Sequence, residues 1–234
     1  MARRSPTKKM GAPASPRSKA PPAVRSAGTP ATHDRRRLLI IGGAAALVVL
    51  AAVLAFVLTR KSSPAAAGPA PIPWAQLGAL QTGPPPWNNG VGALTGRLKL
   101  LDLNALGAEG TVLHTHSHLD LYVNGKHVVL PALIGINDNS YITEVHTHDA
   151  TGVIHIESPT QRTFTLGQLF GEWGVKLTAS CVANYCGHLK FWVNGTQISG
   201  DPAALDFRAH QEIVIAQGPP PLIVPKSYAF PQGE

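Results

Sequence analysis

Seven of the ten histidines in this chain lie within 42 residues, and several of them alternate with other residues as they would along a β-strand. His114, His116 and His118 occupy alternate positions, and His146 and His148 repeat the H-x-H spacing. Side chains two residues apart on a strand share a face and are roughly 6.5 Å apart. Two such imidazoles can converge on one ion, about 2.0 to 2.1 Å from each nitrogen. Each H-x-H pair therefore predicts two ligands of a transition metal.

One pair does not complete a site, because zinc and copper sites use at least three protein ligands. We therefore expect the two H-x-H pairs to face each other across the fold. Asp149 and His155 lie close to the second pair in the sequence, where each can add a ligand or hold a ligand's ring by a hydrogen bond. The expected ligands are His114, His116, His146 and His148, with His118, Asp149 and His155 as alternates.

The ligand types restrict the metal. Both methionines, Met1 and Met10, lie near the N-terminus, far from the histidines, so thioether ligands that select Cu(I) are not expected. A site of imidazoles, or of imidazoles and carboxylates, suits a zinc or copper ion as the cofactor. A histidine cluster can also act without metal as a pH sensor, since stacked imidazoles repel one another once protonated.

Three functions remain open from these residues. Binding, storage or delivery of a metal is the first, because ligands are plentiful while the nearby Glu144 and Glu157 have no assignable proton-handling role. A metal-dependent enzyme with an open coordination position is the second, and its catalytic residues are not identified. A structural or interaction domain of a membrane complex, in which the histidines serve an interface, is the third. Counting ligands separates the first two, because a closed site favours binding.

The elements that must position the histidines are mainly hairpins. Residues 118–128, HLDLYVNGKHV, recur as residues 188–198, HLKFWVNGTQI, with an apolar alternation before each Asn-Gly. Asn-Gly supplies the positive φ angles that a two-residue hairpin turn requires. Residues 141–158 predict another hairpin with its turn near 149–152, and residues 165–173 predict a helix capped by Thr165 and Gln168. Duplication and convergence on favourable turn residues both account for the repeat.

This order predicts a small α+β, hairpin-rich domain with one main helix. Its C-terminal half, LKFWVNGTQISGDPAALDFRAHQEIVI, is similar to the β-grasp arrangement of ubiquitin in its strand, turn and strand order. The run HTHDATGVIHIES also resembles a motif of uncharacterised, membrane-anchored, histidine-rich extracytoplasmic domains of bacteria and archaea, over roughly residues 113–217. That resemblance implies that the domain recurs in other proteins, and it implies no activity.

The N-terminal part predicts membrane anchoring. Residues 1–37 contain ten lysines and arginines and one acid, a composition that cannot bury a core. An uncharged run of 21 residues follows, beginning at Leu38 and ending at Leu58, which is long enough to span a bilayer. A cleaved signal peptide is the alternative. The basic residues before the span place the N-terminus in the cytoplasm and the rest outside the cell membrane.

The charge of the outer part excludes one class of partner. From residue 62 onward there are eight basic and twelve acidic side chains, so nucleic-acid binding is not expected although the whole chain is basic. The expected partners are the lipid bilayer and a membrane or envelope protein. Cys181 and Cys186 are expected to form a disulfide in an oxidising compartment, with a thiolate metal pair as the alternative.

The expected organisation has five segments. They are a basic cytoplasmic tail (1–37), a transmembrane helix (38–58), a Pro/Ala/Gly-rich tether (59–90), a histidine-rich domain (91–218) and an extended tail (219–234).

Overall fold

The computed structural model of the protein describes residues 70–138 and 140–233. The chain there has the expected α+β class, with more sheet than helix. Its two α-helices are α1 (Leu94–Leu98) and α2 (Leu166–Trp173), and short 3-10 turns lie at Val91–Ala93, Lys99–Leu101 and Pro202–Ala204. No helix of the described part is long and apolar enough to cross a bilayer. The basic tail and the transmembrane span predicted at 38–58 lie outside the described residues.

Within the described residues, twelve strands, most of them short, build three sheets. They are β1 (Ala105–Leu106), β2 (Leu113–Val123), β3 (Lys126–Val128), β4 (Ile136–Asn137), β5 (Tyr141–Thr143), β6 (Val145–His146), β7 (Val153–Ser158), β8 (Cys181–Val182), β9 (Tyr185–Cys186), β10 (Leu189–Val193), β11 (Thr196–Ile198) and β12 (Gln211–Gln217). The main sheet has the order β11-β10-β12-β2-β7-β6, and β3 pairs with β2. β12 runs parallel to β2, while β10, β7 and β6 join antiparallel neighbours.

The two VNG turns form hairpins as the sequence predicts. Asn124 and Gly125 have φ angles of 52° and 75°, and Asn194 and Gly195 have φ angles of 51° and 74°. Consecutive positive φ angles are the geometry that keeps two strands twisted correctly around a two-residue turn. The turns connect β2 to β3 and β10 to β11.

One face of the main sheet packs on α2. Leu121 of β2 and Ile215 of β12 are fully buried in the same apolar cluster as Phe170 and Trp173 of the helix. The helix begins after Thr165, whose backbone N–H donates to the side chain of Gln168 at 2.8 Å. Because strand side chains alternate between faces, residues next to Leu121 in β2 point to the opposite face, where the histidines lie.

Part of the segment expected as a tether packs against the domain. Leu77 and Trp87 are buried in the main apolar cluster, and the Trp87 ring meets that of Trp173 edge-on with centroids 5.7 Å apart. The prediction of a tether was wrong for this part of the segment. Burying its two large apolar side chains removes considerable apolar surface from water, which favours packing against the domain.

The extended segment after residue 218 covers part of the opposite face of the sheet. Val224 packs against a small buried cluster that includes Trp192 of β10 and Val214 of β12. Further along, the ring of Tyr228 stacks on that of His118. The segment is therefore docked along the sheet.

The two cysteines are joined across a short hairpin. Cys181 of β8 and Cys186 of β9 are directly opposite each other, and their sulfur atoms lie at a disulfide distance of 2.14 Å. This geometry favours the disulfide over the thiolate metal pair.

Candidate metal centre

Three adjacent strands bring imidazoles together on the face of the sheet opposite α2. The register pairs His116 of β2 with His155 of β7, and it pairs His155 with His146 of β6. Residues directly opposite on neighbouring strands point to the same face, with Cβ atoms roughly 4.5 to 5.5 Å apart. The two H-x-H pairs therefore lie on one face, with β7 between them.

The first candidate group contains four side chains, whose ligand atoms all lie within 4.8 Å of one another: His146, His148, His155 and Glu157. The Nε2 atoms of His146 and His148 are 3.2 Å apart. Ligands bound tetrahedrally at about 2.0 to 2.1 Å are separated by about 3.3 Å, so this spacing suits a common ion. His146 is fully buried, whereas the side chain of His148 is 41% exposed. We call this set the four-ligand group.

The ring of His146 is oriented for metal binding. Its Nδ1 lies 2.9 Å from the carbonyl oxygen of Thr143. A carbonyl oxygen only accepts, so Nδ1 carries the proton, and the lone pair is on Nε2, which faces His148. Burial lowers the pKa of His146 to about 3, which keeps the ring neutral as a ligand must be.

The second candidate group contains His114, His116 and Glu157. Nε2 of His114 lies 3.4 Å from Oε1 of Glu157, and Nε2 of His116 lies 3.9 Å from the same oxygen. Burial, followed by repulsion from His155, lowers the pKa of His116 to about 4, so this ring too is neutral. We call this set the three-ligand group.

Glu157 belongs to both groups and is almost completely buried. Its Oε1 contacts Nδ1 of His155 at 3.1 Å, while its Oε2 is buried without a hydrogen-bond partner. Burial by itself raises the pKa of Glu157, but the hydrogen bond from His155 and further interactions with His146 and His114 outweigh burial, and the net pKa lies below its ordinary value. The site therefore contains a buried carboxylate with one oxygen available to a cation.

Two of the alternate ligands lie outside both groups. His118 has Nδ1 2.9 Å from Oε2 of Glu212 and Nε2 3.0 Å from the carbonyl oxygen of Thr151, so acceptors occupy both ring nitrogens. Burial lowers the pKa of His118, but the contacts with Glu212 and Thr151 outweigh it and raise the net value. His118, Asp120 and Glu212 form a third cluster of possible ligands, whose contacts favour an ion pair.

Asp149 holds a turn. Its Oδ1 accepts hydrogen bonds from the backbone N–H of Thr151, at 2.9 Å, and from the hydroxyl of Thr151. These two bonds lower the pKa of Asp149. Its side chain shapes the loop between β6 and β7, and it is not a member of any of the three groups.

Two carboxylates near the histidines, Glu157 and Glu109, are not among the ligands predicted from the sequence, where Glu157 was noted only as a neighbour of the cluster. Glu157 follows His155 by two residues on β7, so the same alternation that links His114 and His116 also puts Glu157 on the histidine face. That signal was available in the sequence. Glu109 was not foreseeable, because it reaches His148 from the loop before β2, with Oε1 3.3 Å from Nε2.

The fold and this face define an α+β protein with clusters of histidine and glutamate that can hold a metal ion. Comparison of the chain with protein-family models, with curated proteins and with solved structures gave no match.

Proposed function

We propose that this chain binds a divalent transition metal, zinc or copper, in a domain that a single transmembrane helix at 38–58 anchors on the outer side of the cell membrane. Its role is binding, storage or delivery of the metal. The observation that carries the proposal is the four-ligand group, in which three imidazoles and the buried Glu157 converge within 4.8 Å.

Burial makes the group costly to maintain without a cation. Transferring an ionised carboxylate from water into a protein interior is unfavourable unless it is paired, and Oε2 of Glu157 has no hydrogen-bond partner. Neutral imidazoles donate or accept but do not neutralise charge. A divalent ion bound between Glu157 and the histidines supplies the missing charge and the missing partner.

Zinc and copper(II) fit the ligand types better than magnesium or calcium, which take oxygen ligands. The outer location is supported by the basic segment before the span, and by the cysteine pair Cys181 and Cys186, whose predicted disulfide suits an oxidising compartment.

The strand arrangement supports a β-grasp-like fold for the domain. An antiparallel pair, β2 and β7, is followed by α2, then by β10 and β11, and then by β12, which returns parallel to β2 at the centre of the sheet. The proposal is one of fold only, since such a scaffold hosts many functions.

The test is metal content. The full-length chain, purified in detergent without a polyhistidine tag and dialysed against metal-free buffer, is expected to retain stoichiometric zinc or copper by elemental analysis. The double variant His146→Ala, His148→Ala is expected to retain less. His127→Ala is the matched control, because His127 pairs with Asp120 and belongs to neither group. A wild-type chain without bound metal, or a double variant with as much as the wild type, would refute the proposal.

The three-ligand group favours metal-dependent catalysis as a second candidate function. His114, His116 and Glu157 leave one position of a tetrahedral ion free, and an ion with a bound water can activate it as a nucleophile. Metal-dependent hydrolysis of activated esters and phosphate esters, lost in His116→Ala, would support this function over storage.

A further inference from the structure

We infer that the domain holds two metal ions side by side and that the carboxylate of Glu157 bridges them; this inference rests on the metal binding proposed above. The number of ligands is the first argument. Five imidazoles and Glu157 lie on one face, and they separate into two groups that share only Glu157. A tetrahedral ion takes four ligands, so an ion in the four-ligand group leaves His114 and His116 unused.

The spacing in the three-ligand group also suits an ion. The separation of about 3.3 Å expected between two ligands of a tetrahedral ion matches the 3.4 Å between Nε2 of His114 and Oε1 of Glu157. Nε2 of His116 approaches the same oxygen of Glu157, at a longer distance of 3.9 Å. The geometry that identifies the first group therefore recurs in the second, a few ångströms away.

Glu157 is placed to serve both ions. Its Oε1 contacts His114 of one group and His155 of the other, while Oε2 is buried without a hydrogen-bond partner. A carboxylate has two oxygens, and in two-metal sites a shared ligand holds ions roughly 3.5 to 4 Å apart. Nε2 of His116 and Nδ1 of His155, which belong to different groups, are only 3.0 Å apart, so the two centres adjoin.

The two positions differ in what they offer. The four-ligand group would fill all four coordination positions of a tetrahedral ion, whereas the three-ligand group would leave one position open. The three-ligand group reaches the surface at His114, whose side chain is 45% exposed. An ion in the three-ligand group therefore has the position at which water or a ligand anion can bind.

Zinc stoichiometry tests the inference. The full-length chain, in detergent and without a polyhistidine tag, is saturated with zinc sulfate and desalted, and zinc and protein are then quantified. Wild type is expected to retain two zinc ions per chain, and His114→Ala is expected to retain one. His127→Ala, which alters a histidine outside both groups, is expected to retain two.

Copper gives an independent readout of the bridge. Two copper(II) ions that share a carboxylate couple magnetically, so the paramagnetic resonance of the loaded wild type is expected to integrate to less than its total copper. In His114→Ala the signal is expected to account for all the copper.

The outcomes separate this inference from the proposed function. One ion per wild-type chain overturns the two-ion centre and leaves metal binding intact, whereas no ion overturns both. Two ions retained in His114→Ala, or a wild-type copper signal that accounts for all the copper, also overturns the bridged pair.

Discussion

The rings of His118 and Tyr228 lie parallel, with centroids 3.8 Å apart and an interplanar angle of 6°. His118 is held from its edges by Glu212 and Thr151, and these contacts outweigh burial and raise its pKa, which favours the charged imidazolium. A cation over an aromatic face is attracted by the ring's electrons. The pair therefore fastens the C-terminal segment to β2.

Removing the aromatic ring of Tyr228 is expected to weaken the packing of the C-terminal segment on β2. Tyr228→Ala should lower the free energy of unfolding by about 1 to 2 kcal/mol, through lost stacking and lost apolar contact. Tyr228→Phe keeps the ring and is expected to lie within about 0.5 kcal/mol of wild type. Urea unfolding followed by tryptophan fluorescence measures both. Equal losses in the two variants would show that the hydroxyl, and not the ring, matters.

A buried carboxyl in α2 is expected to make stability depend on pH. Burial raises the pKa of Glu172 well above its ordinary value, more than the nearby Thr143 lowers it. In the unfolded chain the group ionises above about pH 4.5, so unfolding releases a proton and stability falls as pH rises from there to the folded pKa. The slope is at most about 1.4 kcal/mol per pH unit for one proton.

Glu172→Gln removes this proton. The free energy of unfolding of the variant should therefore fall less than that of wild type between pH 5 and pH 8. Unfolding in urea at several pH values measures the two slopes. Parallel slopes would mean that Glu172 is ionised in the folded protein.

Metal should stabilise the folded domain. A ligand that binds only the folded state at a free concentration 100 times its Kd adds about 2.7 kcal/mol, which for a domain of this size raises Tm by roughly 5 to 10 °C. We expect zinc to produce such a rise in wild type and His127→Ala, and a smaller rise in His155→Ala. Scanning fluorimetry with and without a chelator measures it, and equal rises in all three would place zinc elsewhere.

The VNG turns make a further prediction about stability. Gly195 has a φ of 74° and lies against the side chain of Lys226. Gly195→Ala is expected to cost about 1 to 2 kcal/mol, because a Cβ is strained at positive φ. Gln197→Ala is the matched control on the exposed β11 and should cost less than about 0.5 kcal/mol. Thermal unfolding compares them, and equal costs would remove the special role of the turn.

Local rules predicted the local features of this domain. Asn-Gly identified both turns because only a few residue types adopt positive φ easily, and Thr165 with Gln168 identified the start of α2. The H-x-H spacing placed His114 and His116 on one face, because side chains alternate between the two faces of a strand. These signals come from residues close together in the sequence.

Contacts between distant segments could not be predicted in this way. The sequence does not state that β7 lies between β2 and β6, so the place of Glu157 between the two histidine pairs depends on strand order. The burial of Trp87 and the docking of Tyr228 likewise depend on surfaces that exist only after the sheet has formed. Composition alone made both segments look like linkers.

The pairing of His116 with His155 and of His155 with His146 has a consequence for folding. A slip of one residue along β7 would turn its imidazole and its carboxylate towards α2, and the ligand set would be lost. If the chain binds metal as proposed, only the correctly assembled sheet brings the ligands together. Metal retention would therefore distinguish native chains from chains that have the same secondary structure but a shifted β7 register.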